Sequence, residues 1–253
     1  MVGLFYSQGI KYKIIMVTFK QFILLEGGNV FKNADGTSAT TNIKKTDVLK
    51  MVDNLSKILN IDLSNNLLGS TGKKEISGDI DIGALKSQRD TIYNSLLNYC
   101  KENDLDASEY VRRTGAGIHF KTQIPDTEQY GQTDFLFVNN LEFAKFYLAN
   151  NETSPLKGVH RNIILACLAK ARDMKFLSGD GLVDREASNV ISTDPDEIAE
   201  ILFDDNTATA KDLFNIPSIV SKLKENLNPE QVRELLQGAQ ETLTTKYNVS
   251  INI

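Results

Sequence analysis

The sequence predicts a mixed α/β (α+β) fold: a small mixed sheet with flanking helices, followed by a helical C-terminal unit. Two observations carry this. Strand-like and helix-like apolar periods alternate up to about residue 140, and beyond Asn140 the chain repeats helix start signals in which a capping residue precedes Pro. A chain of 253 residues is long enough for two packed units. The expected division is an N-terminal extension over 1–16, a sheet-bearing unit over 17–140 and a helical unit over 141–253.

Val17 to Leu25 is short and apolar, and Glu26-Gly27-Gly28 with Asn33-Ala34-Asp35-Gly36 marks a Gly-rich loop. Thr46 is positioned to cap a helix from Asp47 to about Leu59, whose Val48, Met51, Val52, Leu55 and Leu59 fall on one face. Leu63 to Leu68 reads as a short strand ending at Gly69-Ser70, and Ile76 to Ala84 as a second. A helix from about Ser87 to Lys101 carries Ile92, Leu96, Leu97 and Cys100 on one side. Two strands follow, Gly117 to Ile124 and Thr133 to Val138, separated by the Pro125-Asp126-Thr127 loop. Ser154-Pro155 opens a predicted helix through about Arg172, and Asp194-Pro195, Ile216-Pro217 and Asn228-Pro229 open three more. Only Lys175 to Ser192 interrupts them, with Gly179-Asp180-Gly181 as a candidate hairpin turn.

Composition narrows the class. Hydrophobic residues make up 41% and charged residues 24%, which favours neither disorder nor membrane residence. No run of eighteen apolar residues occurs. The N-terminus is apolar, but Lys11 and Lys13 interrupt it and no small-residue cleavage site follows, so a cytoplasmic protein is expected, with Met16 an alternative start. From residue 190 onward 11 Asp/Glu face 5 Lys/Arg, so a net charge of -5 is concentrated in the C-terminal part. An acidic region does not clamp extended duplex DNA. Cys100 and Cys167 lie in separate helix-like stretches with no metal-ligand spacing, as expected of free thiols rather than a zinc site.

The informative segment runs from Leu68 to Ile82. Asp79 and Asp81 are two apart on a predicted strand, so both carboxylates leave the same face and can share hard cations, while Ile80 and Ile82 point into a core. Upstream, Gly69 allows close backbone approach to an anion, Ser70 offers a hydroxyl, and Lys73 and Lys74 add positive charge. Asp134 starts an otherwise apolar predicted strand, where a charge is costly unless it binds something. Two further cationic pairs stand out. Lys157 and Arg161 are four apart on a predicted helix, suited either to phosphate or to a solvated face, and Arg112-Arg113 could meet phosphate or an acceptor backbone. His119, on a strand, reads as a satisfied core residue. No P-loop and no Gly-x-Gly-x-x-Gly opening a helix is present.

An apolar-Gly-Ser turn about ten residues before an apolar-flanked Asp-x-Asp, with a third Asp on a later strand, resembles the signature of the DNA polymerase beta-like nucleotidyltransferase superfamily. Gly27 to Phe31, the Gly69 to Lys74 turn and the Gln132-Thr-Asp-Phe135 strand are similar to phage-encoded nucleotidyltransferases of unknown acceptor. The resemblance implies transfer of a nucleoside monophosphate from a nucleoside triphosphate to an acceptor hydroxyl on an RNA end, a protein or a small molecule, with release of pyrophosphate. Asp79 and Asp81 would bridge two Mg²⁺ ions, for which Mn²⁺ can substitute, and Asp134 would hold the ion nearest the acceptor. Gly69, Ser70, Lys73, Lys74, Lys157 and Arg161 would serve the nucleotide, and Arg112 and Arg113 the acceptor. The alternative is an inactive relative acting as a binding or virion-associated module.

Overall fold

The computed structural model describes residues 29–115, 117–149 and 158–251. The expectations for Gly27, Gly28, the N-terminal extension, the Ser154-Pro155 start signal and Lys157 lie outside them. The fold is α+β, with a mixed sheet, two smaller sheets and a helical C-terminal region. The described residues divide into two compact units: one of those within 29–64, 71–82 and 90–136, the other of those within 65–70, 83–89 and 137–251.

In the first unit β1 (Ile43–Lys44) leads directly into α1 (Lys45–Leu59) and pairs with β2 (Ile76–Ser77). The face of α1 that the periodicity predicts, from Val48 to Leu59, is the face it buries. Each such side chain contributes roughly 1.5–3 kcal/mol on leaving water. Its start differs from expectation. Lys44, without a side-chain cap, precedes the first turn and Thr46 lies inside it, because the β1 pairing delivers the chain in an extended conformation that ends two residues earlier.

β3 (Asp79–Leu85) is the edge of a four-stranded sheet ordered β3-β6-β5-β4, with β4 (Val111–Arg113), β5 (Gly117–Gln123) and β6 (Tyr130–Val138). β4–β5 and β5–β6 are antiparallel, which makes β3–β6 the parallel pair of this mixed sheet. The predicted strand from Leu63 to Leu68 does not form: those residues are a turn at Ser64-Asn65 and irregular chain with one bridge position at Leu67. The run from Ile76 is also broken, at Gly78, so that β2 and β3 join different sheets. α2 (Arg89–Glu102) buries Ile92, Leu96 and Cys100. One turn of helix, α3 (Ala107–Tyr110), capped by Asp106, delivers the chain to β4.

One sheet face is apolar: Ile80, Ile82, Ile118, Phe120 and Phe135 are almost fully buried, and the Thr122 and Thr133 hydroxyls pair at 2.7 Å. α1 packs against β5 here, and the Tyr99 ring of α2 meets Phe120 edge-on at 6.0 Å. Gly131 permits this packing, since a Cβ there would lie 2.5 Å from Ile43 and 3.1 Å from Met51.

In the second unit α4 (Leu141–Leu148), which the sequence reading did not separate, and α5 (Gly158–Ala171) precede a three-stranded antiparallel sheet. Its strands are β7 (Met174–Leu177), β8 (Gly181–Asp184) and β9 (Val190–Ser192), with the Gly179-Asp180 turn between the first two. α6 (Pro195–Phe203), α7 (Ile216–Asn226) and α8 (Pro229–Tyr247) follow, and Asp194, Asn215 and Asn228 cap them through their side chains. The repeated Pro signals are thus true first turns, where a missing N–H costs nothing. Lys222 of α7, largely buried, bonds Asp205 and Glu225, each at 2.8 Å.

Candidate metal centre

Strand alternation builds the site. With Ile80 and Ile82 turned into the core, Asp79 and Asp81 must emerge together on the other face of β3. Asp134 emerges on that face from the neighbouring β6, and one ligand oxygen from each of the three acids lies within 4.8 Å of the others. Asp134 does not start its strand, as the sequence suggested, but sits in the middle of it, 3% exposed. Among the described residues this is the one such cluster of potential metal ligands.

Asp134 is held from two sides. His119, its cross-strand partner on β5, places Nδ1 2.8 Å from Oδ1. Gln132, two residues earlier on the same face of β6, donates from Nε2 to Oδ2 at 3.1 Å, while its Oε1 accepts the Val30 backbone N–H at 2.9 Å. Asp81 is tied through its main chain: its N–H donates to Thr71 Oγ1 at 3.0 Å, and the Thr71 side chain is buried. Thr71 therefore anchors the turn that carries Lys73 and Lys74, both exposed.

Electrostatically the cluster is costly as it stands. Burial pushes the Asp79 carboxyl above its ordinary range, and the charge on Asp134 adds to the shift. Three carboxylates form an all-oxygen, hard donor set whose mutual repulsion a divalent cation offsets, which suits a hard divalent cation rather than a thiophilic metal.

The remaining candidates separate. Arg112 pairs with His119 across β4–β5, which extends the row Asp134, His119, Arg112 across one sheet face. It is exposed, with its guanidinium 6.0 Å from the Phe31 ring centre. Lys121, opposite Gln132, sits over the same ring at 5.6 Å. Arg113 alternates to the other side, where it pairs with Asp90 at 2.8 Å and lies over Tyr93. Gly69 has a φ of 61°, in the left-handed region that glycine adopts freely, and Ser70 after it is half-buried.

Arg161 is not on a solvated or phosphate-facing surface, contrary to the sequence reading. It is 3% exposed, donates to the Phe146 and Tyr147 carbonyls at 2.8 and 2.7 Å and to the Phe214 carbonyl at 3.3 Å, and stacks on the Phe146 ring. At the last turn of α4 the Arg161 fork adds to the Ala149 N–H at the Phe146 carbonyl and shares the Tyr147 carbonyl with Asn162, so the helix end is capped by side chains. His160 and Asn162 are buried as well, against Tyr247 and the Tyr147 carbonyl. Cys100 is buried and Cys167 half-buried, both free thiols.

Sequence reasoning missed Thr71, Gln132 and the true partner of His119. Gln132 had a signal, since it is two residues before Asp134 on a strand and so shares its face. The partnership of His119 depends on strand register, which no local pattern carries. No protein-family model matches the chain, and no curated protein matches it. No helix among the described residues is long and apolar enough to cross a membrane.

Proposed function

We propose that this chain is a metal-dependent nucleotidyltransferase that moves a nucleoside monophosphate from a nucleoside triphosphate to an acceptor hydroxyl. The observation that carries the reading is the convergence of Asp79, Asp81 and Asp134 on one sheet face, two from one strand and one from its neighbour. The Gly-Ser turn and the Asp-x-Asp spacing of the sequence agree with it.

In the reaction the acceptor oxygen bonds to the α-phosphorus, the bond to the β-phosphate bridging oxygen breaks, and pyrophosphate leaves. Divalent ions held by the three acids would acidify the acceptor hydroxyl and neutralise the leaving pyrophosphate. Asp79 and Asp81 present their carboxylates from a rigid strand, so little reorganisation accompanies binding. Asp134 orients the acceptor end and helps take its proton. Lys73 and Lys74, in the turn anchored by Thr71, are suited to the triphosphate, a task from which burial removes Arg161. Arg112 and Lys121 are suited to anionic groups on the acceptor side. The acceptor itself is an RNA end, a protein side chain or a small molecule.

The test is incubation of purified protein with each labelled nucleoside triphosphate, Mg²⁺ or Mn²⁺, and RNA or cell lysate. Label transferred to an acceptor, lost with chelator and lost in Asp81→Ala, is the expected result. Cation binding without transfer to any acceptor returns the chain to a binding module.

A further inference from the structure

We propose that His119 and Gln132 are positioning residues for Asp134, and that the Val30 backbone, by fixing the Gln132 amide, makes the segment around Val30 part of the site. This rests on the reading of the three acids as a cation site.

The argument begins with who can donate. An ionised carboxylate offers only lone pairs, so the hydrogen in the His119–Asp134 contact resides on Nδ1. The Gln132 amide has one orientation that satisfies both neighbours. Val30 N–H is a donor, so it must meet Oε1, and Nε2 is left to face Asp134 Oδ2. Each oxygen of Asp134 thus takes one hydrogen bond from the protein and keeps lone-pair capacity for a ligand. Two bonds from different elements, one to each oxygen, fix the torsion of the carboxylate plane, which a single bond would leave free.

His119 is itself held. Its Nε2, then an acceptor, lies 3.4 Å from the Thr114 hydroxyl, whose oxygen accepts the Gly117 N–H at 3.1 Å while the Thr114 N–H donates to the Gly117 carbonyl at 2.9 Å. Both His119 and Asp134 are almost fully buried, so water is not available to replace either contact. Such outer contacts orient a metal-binding carboxylate and are worth about 10- to 100-fold in cation affinity. Val30 and Phe31, the described apolar residues of the Gly27 to Phe31 motif, gain a physical role by this route. Val30 fixes Gln132, and Phe31, 2% exposed, lies under Arg112 and Lys121.

The experiment is titration of Mn²⁺ into the full chain and into His119→Phe, His119→Asn and Gln132→Leu, read by calorimetry, with thermal melting as the check on folding. His119→Phe keeps ring volume without a donor, whereas the Asn amide offers an N–H near the place of Nδ1. Weakening of Mn²⁺ binding by about 10- to 100-fold in His119→Phe and Gln132→Leu, with recovery in His119→Asn, is expected. Unchanged Mn²⁺ affinity in the folded His119→Phe and Gln132→Leu variants overturns the inference. So does loss of the fold in both, which would make the contacts structural rather than orienting. If only one folds, its Mn²⁺ affinity decides. A parent chain that binds no Mn²⁺ defeats the cation reading itself, an outcome distinct from unchanged affinity in variants of a parent that binds.

Discussion

His119 and Asp134 face each other across the antiparallel β5–β6 pair, joined by a 2.8 Å contact with both side chains almost fully buried. The contact ties the most buried acid of the cluster to the sheet. It also leaves Asp79 and Asp81, both half-buried, as the acids whose removal least disturbs packing.

Replacing Asp79 or Asp81 by Ala should reduce nucleotidyl transfer by about a thousandfold, roughly 4 kcal/mol of transition-state stabilisation. Thermal melting without metal should show no loss of stability, because the substitution relieves the burial and charge penalty on the cluster. Near-normal transfer by either variant contradicts the assigned role.

Arg161→Ala should act on the fold and not on nucleotide affinity. The change removes charge-assisted hydrogen bonds to the Phe146, Tyr147 and Phe214 carbonyls and the stack on Phe146, and leaves the Tyr147 carbonyl to the Asn162 amide. A stability loss on the order of 3 kcal/mol is expected from denaturant titration. An Arg161→Ala protein of parental stability with weakened triphosphate binding would restore the role read from the sequence.

Arg112 and Arg113, adjacent in sequence, should respond differently to charge removal. Arg112→Ala is expected to slow transfer to a phosphate-bearing acceptor and to reduce its salt dependence, since Arg112 extends the Asp134–His119 row. Arg113→Ala removes an exposed ion pair with Asp90 and should cost less than about 1 kcal/mol of stability with transfer intact. Parallel salt titrations of the two variants separate them, and identical slopes would remove Arg112 from the acceptor side.

Acid should weaken the second unit through Asp205. Hydrogen bonds from Lys222 and Thr207 hold the Asp205 carboxyl well below its ordinary value of 3.8. A depressed carboxyl stabilises the fold above its unfolded value, and that contribution fades as pH falls below about 4 toward the folded value. Lys222→Met should therefore lower stability at neutral pH and flatten the acid limb of a stability–pH curve measured by thermal melting. An unchanged acid limb in that variant would show that the Lys222 bonds do not set it.

The sequence by itself determined the buried face of α1, the capped and Pro-started helices of the second unit, and the shared face of Asp79 and Asp81. All of these follow from periods and caps within a few residues of chain. Asp134 was legible as a costly charge among apolar neighbours, but its central place in β6 was not. Tertiary structure alone decided the rest. Register, which spans fifteen residues between His119 and Asp134 and more than a hundred between Val30 and Gln132, chose which polar groups meet the acids. Burial turned Arg161 from a candidate phosphate ligand into a cap for the end of α4, because the carbonyls it satisfies belong to a helix some fourteen residues earlier in the chain. Local pattern fixes which way a side chain points, whereas the partner it finds depends on strands and helices brought together from distant parts of the sequence.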